Sequence, residues 1–196
     1  LPWSDDAQRA LWQDMADMGW LGLLASEDQG GLGLGMCEAY LVAEAAGRQL
    51  LNLPLAASAV LLPLLLQEST QRNGWLATWV EDVAAGRSAF NVAFDDMRHL
   101  DHAQQCSHQL LLHGLDMPEA EVRLALLPVD ATNGASAAAK ITALDPTFRD
   151  ASLSVGVDSS CLDWHVLEIS AQGRAYALAC YRLARSRTVG CRSRLT

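Results

Sequence analysis

Apolar positions in the first 86 residues recur at helical spacing. Leu11, Trp12, Met15 and Met18 share one face of a helix that begins at Asp5. Ser4 is its predicted cap, with Asp5 and Asp6 in the first turn and Gly19 at its end. Trp20 to Ala25 is a short apolar segment, and Ser26 to Gly35 is a loop whose glycines can take positive φ. The pattern then predicts a helix from Met36 to Leu50, with Tyr40, Ala43 and Gly47 on one face and Glu38 on another. Leu51 to Leu66 is almost wholly apolar. It is shorter than the roughly 20 residues of a membrane span and holds Pro54 and Pro63, so it reads as a buried helix starting near Pro54. After the polar connection Glu68 to Gly74, Trp75 to Ala85 forms a short helix with Trp75, Trp79 and Val83 stacked, closed by Gly86.

Beyond Gly86 the period shortens. Ser88 to Phe94, Gln109 to Gly114 and Val122 to Val129 are predicted strands, and Pro146 to Val157 contains an alternating one. Asp-Met-Pro-Glu and Asp-Ala-Thr-Asn-Gly between them are turn compositions. Trp164 to about Arg187 returns to helix. Helices, then strands, then a helix describe an α+β protein. It has an N-terminal all-α domain (1–86), a small middle antiparallel β domain (87–160) and one C-terminal helix (161–196).

Half of the residues are apolar (51%) and 19% are charged, enough to bury a core and to exclude disorder. A net charge of -9 argues against nucleic acid and anionic membranes as partners. The late arginines, Arg174 to Arg194, suit the C-terminal end of a helix. Cys37, Cys106, Cys161, Cys180 and Cys191 are scattered without a paired motif. That excludes a disulfide framework and a zinc site and points to reduced thiols in the cytoplasm. No signal peptide pattern is present, and the start at Leu1 leaves room for preceding sequence.

Candidate chemistry is sparse. Gly31-Leu32-Gly33-Leu34-Gly35 lacks the strand, the βαβ unit and the later acidic residue of a dinucleotide site, so it reads as a tight turn. His99 and His102, with Asp95, Asp96 and Asp101, form a polar loop rather than a metal motif. Cys106 and His108 sit two apart on a strand with no third orienting group. The residues yield no catalytic or metal-ligating set, and they leave the cofactor-binding residues unknown.

One stretch says more. Gly19-Trp20-Leu21-Gly22-Leu23, Glu27-Asp28, Gly30-Gly31-Leu32-Gly33, then Glu44 and Gly47-Arg48, resembles the N-terminal helical domain of the acyl-CoA dehydrogenases. The order of elements agrees with that family. The resemblance implies FAD-dependent α,β-dehydrogenation of acyl-CoA thioesters. In that reaction a glutamate takes the α proton, the flavin accepts hydride, and oligomers are usual. It also implies a flavin loop resembling Thr-Glu-Pro-x-x-Gly-Ser-Asp, where this chain has Phe94-Asp95-Asp96-Met97-Arg98-His99. Acidity survives at Asp96, but the hydroxyls and glycines do not. The strand that lies over the flavin in the family has no counterpart between Asp96 and Leu110. Only one helix stands for the family's C-terminal bundle, and Thr188 to Thr196 departs from its pattern. The expectation is an acyl-CoA dehydrogenase-like protein, truncated and inactive as this chain alone. The alternative is a non-catalytic partner subunit of a heteromeric dehydrogenase. Either way it is a homo- or hetero-oligomer, associating through an apolar face of the Trp164 to Arg187 helix.

Overall fold

A computed structural model describes residues 6–51, 53–69, 73–94, 99–100, 106–115, 121–128, 139–140, 151–152, 164–179 and 182. The predicted cap at Ser4 lies outside them. Helix α1 (Asp6–Asp17) buries Trp12 and Met15, one turn apart, while Leu11 and Met18 on the flanks of that stripe stay exposed. Gly19 ends it at φ +77°, the left-handed conformation that glycine adopts without a Cβ penalty. Two single 3₁₀ turns follow, at Trp20–Gly22 and Glu27–Gln29, and then helix α2 (Met36–Arg48).

The apolar run beyond Pro54 is helical from Leu55 to Gln67, as expected. Its first part, Ala56–Leu61, is a wide π turn, and α3 (Leu62–Gln67) continues from it. In the wide turn the Leu62 N–H donates to the Ala57 carbonyl, five residues back. The turn stands directly before Pro63, whose ring presses on the carbonyl four residues earlier in an ordinary α-helix. Helix α4 (Gly74–Ala84) buries Leu76, Val80, Val83 and Ala84. Trp75 and Trp79 meet edge to face with centroids 4.9 Å apart. Gly86 (φ +71°) closes the helix against α1. A Cβ there would lie 2.9 Å from both Ala16 Cβ and Gln13 Oε1.

Four strands make the main sheet, in the order β1 (Phe90–Phe94), β3 (His108–His113), β4 (Val122–Pro128), β7 (Trp164–Leu167). The α+β class holds, but two expectations need correction. The sheet is mixed rather than antiparallel, because β1 and β3 run parallel with Phe90 opposite His108. Trp164–Leu167 is also a strand and not the start of the last helix; it pairs antiparallel with β4, Val122 opposite Leu167. A four-residue apolar run fits either period, and an open edge on β4 decides in favour of the sheet. The last helix, α5 (171–179), starts after Ser170, whose Oγ accepts the Gly173 N–H at 3.0 Å. Two-residue strands β2 (His99–Leu100), β6 (Ala151–Ser152) and β5 (Ala139–Lys140) form a second sheet in that order. Of the strand expected within Pro146 to Val157, the pair Ala151–Ser152 is described and the remainder is not.

One face of the main sheet packs on the helices. Phe90, Leu110, Leu112, Leu124 and Leu167 share a single buried cluster with Trp12, Leu62, Leu76 and Val80. Two polar contacts fasten the layers. Ser58, buried in the π turn, donates its hydroxyl to the Phe90 carbonyl (3.0 Å) and accepts the Phe90 N–H (2.8 Å), which ties the helix to edge strand β1. At the far edge Ser170 donates its hydroxyl to the Glu68 carboxylate and its N–H to the Glu68 carbonyl.

Candidate functional site

Chain reversal between Trp20 and Met36 builds a corner whose two arms are joined by backbone hydrogen bonds. Leu32 N–H donates to the Gly22 carbonyl (2.9 Å), Gly33 N–H to that of Ala25 (2.7 Å) and Leu34 N–H to that of Leu23 (2.8 Å). Ser26 N–H reaches the Gln29 side-chain oxygen at 3.3 Å, and Gly35 N–H the Glu38 carboxylate at 3.0 Å, which satisfies the start of α2. The glycines serve different ends. Gly30 (φ +74°) and Gly33 (φ +60°) supply positive φ with open space around them. Gly31 has ordinary φ, but a Cβ on it would run into the Ala25 carbonyl. The segment is a tight corner between helical elements and follows no strand.

The corner turns apolar side chains outward. Leu32 lies against Gly19, where a Cβ would meet its Cδ1 at 3.1 Å, and so sits beside exposed Met18 and Trp20. Leu34 and Met36 continue the strip onto α2, which ends it with Tyr40 (66% exposed) and Leu41 (63% exposed). Helix α2 fully buries Ala39 alone, with Val42 and Ala46 half-buried behind it. Sequence reading missed this strip, although a signal was there. Tyr40 and Leu41 fall on the side of the helix away from Ala39, Val42 and Ala46, with Met36 on the flank between, so α2 carries apolar residues beyond its buried face. Acidic residues predominate in this part of the chain: Asp14, Asp17, Glu27, Asp28, Glu38 and Glu44. The two cations of residues 6–51 are engaged locally, Arg9 with Asp6 (2.6 Å) and Arg48 with Glu44 (2.7 Å). An apolar centre among charged flanks is the anatomy of a docking surface. Of the apolar face expected on the last helix, the described part is residues 171–179. Gly173 and Ala177 of α5 are buried, and Tyr176 and Leu178 are half-buried against core clusters.

The second place of interest is the end of β1, where the flavin loop is expected. Residues 95–98 lie outside the described ones, as do 101–105, and with them Asp101, His102 and the side chain of His99. Between Phe94 and Cys106 the sequence holds no Ser or Thr. The next hydroxyl in sequence, Ser107, lies at the other end of β1, where its Oγ donates to the Ala89 carbonyl at 3.0 Å and accepts the Ala89 N–H at 3.3 Å. It therefore does not stand where a flavin ring would meet the loop after β1. Cys106 and His108 do not form an activated pair either. Cys106 is buried and its thiol pKa is pushed far up by desolvation, opposite to what a thiolate nucleophile needs. His108 stacks on Phe90 (5.5 Å between centroids), with Nδ1 at 3.1 Å from Ser107 Oγ. Burial lowers its pKa, partly opposed by the negative charge of Asp82. His165 stacks on Trp75 at 4.7 Å. Among the described residues no group of His, Cys, Asp and Glu could hold a metal, and no helix is long and apolar enough to cross a membrane.

Residues 2–86 match the family described as acyl-CoA dehydrogenase, N-terminal domain. A proposed acyl-CoA dehydrogenase from Mycobacterium smegmatis is similar at 16% identity with a TM-score of 0.51, over 86% of this chain and 50% of that one. At that identity the likeness concerns the fold alone. The ChsE4-ChsE5 complex from Mycobacterium tuberculosis is similar at 14% identity and TM-score 0.46, over 64% of this chain and 40% of that one. The Tcur3481-Tcur3483 steroid ACAD is similar at 17% identity and TM-score 0.47, over 64% and 40%. This chain thus spans half or less of the length of these structures. No curated protein matches it.

Proposed function

We propose that the chain is a relative of the acyl-CoA dehydrogenases, a reading supported by the family match of residues 2–86, and that it does not dehydrogenate acyl-CoA by itself. In the family FAD supplies the hydride acceptor, and the protein's part is to hold and orient it. The observation that carries the proposal is the sequence that follows β1, where residues 95–105 hold no Ser, Thr or Gly to stand for the flavin loop of the family. Protein as purified is expected to be colourless and to leave the fluorescence of added FAD unchanged. A yellow protein bleached by an acyl-CoA would overturn the proposal.

A second reading is favoured by the outward apolar strip from Met18 to Leu41. Here the chain is a small non-catalytic subunit that acts by joining a full-length acyl-CoA dehydrogenase chain. Its N-terminal helices would supply structure and its partner the chemistry, with acyl-CoA bound by the assembly. Domain limits near residues 86 and 160 and a cytoplasmic setting go with either reading. Light scattering of this chain mixed with such a partner from the same genome checks it. Masses equal to those of the separate components would remove it.

A further inference from the structure

We draw no further inference here: the strongest candidate, the apolar surface patch that runs from Met18 across Leu32 and Leu34 to Tyr40 and Leu41 on α2, belongs to the site already described, and nothing in the structure shows what covers it.

Discussion

A single methyl group at Gly31 collides with the Ala25 carbonyl, and that oxygen already accepts the Gly33 N–H. Relief would have to come from backbone, which gives way less readily than a side chain. Gly31→Ala is therefore expected to destabilise the fold by about 3 kcal/mol, the upper end of overpacking costs. Gly30→Ala, facing open space at φ +74°, should lose only the left-handed penalty of about 1–2 kcal/mol. Urea midpoints of the two variants give the order, and a costlier Gly30→Ala would contradict the geometry. Composition alone marked this segment as a turn. It did not separate the glycine needed for φ from the one needed for space, because the second depends on a carbonyl six residues away along the chain. His108 is a similar case: the sequence shows an imidazole on a strand, and only packing shows that burial lowers its pKa from the ordinary 6.5. The sign follows. As pH falls the unfolded chain takes up this proton first, so the stability tied to neutral His108 is whole above its ordinary value. It is lost as pH drops through the lowered folded value. Asp82 raises the folded value, so Asp82→Asn should steepen the loss and His108→Gln should remove this part of it. Urea unfolding from neutral pH to below 6 reads the slope. An unaltered slope in His108→Gln would show that another group titrates.

Between elements, polar side chains in apolar surroundings mark the joints. Ser58 sits in a run that otherwise reads as featureless core, and its hydroxyl meets both backbone groups of Phe90. Edge strand β1 has β3 on one side, and at Phe90 the Ser58 hydroxyl takes the place of a strand on the other. Ser58→Ala leaves two backbone groups buried without that partner, and is expected to lower stability by about 1–3 kcal/mol. A change below about 0.5 kcal/mol in chemical denaturation would mean water replaces the hydroxyl without loss. Helices α1, α2 and α4 and strands β1, β3 and β4 were legible within a residue or two, because each carries a sustained period or is closed by glycine. What escaped was non-local. The parallel pairing of β1 and β3 depends on the path taken by the intervening residues. Trp164–Leu167 becomes a strand because β4 offers it an edge. The π turn follows from Pro63 together with the need to aim Ser58 at β1.

For the molecule as a whole, a continuous core and an unfinished surface stand side by side. Trp12 on α1, Leu124 on β4 and Ala177 on α5 belong to one buried cluster, so the helical and β parts support each other. Helix α2 stands apart from that pattern, with one fully buried residue in thirteen. Burial of one alanine and two half-buried residues gives such a helix little tertiary support, and helices of this length are marginal alone. Covering Tyr40 and Leu41 would stabilise it, and that is the physical reason to expect association. Charge then decides the conditions. Two copies meeting strip to strip bring Glu27, Asp28 and Glu38 of each into proximity, on a chain whose net charge is -9. Self-association should therefore be weak at low ionic strength and strengthen as salt shortens the screening length to about 8–10 Å or less. Light scattering at micromolar concentration is expected to give a molar mass that rises between low and high salt. The double change Tyr40→Asp with Leu41→Asp, at two exposed positions, should keep the chain monomeric at both. A mass that falls with added salt would instead indicate a cationic contact. A mass that rises equally in the double variant would remove the strip as the surface responsible.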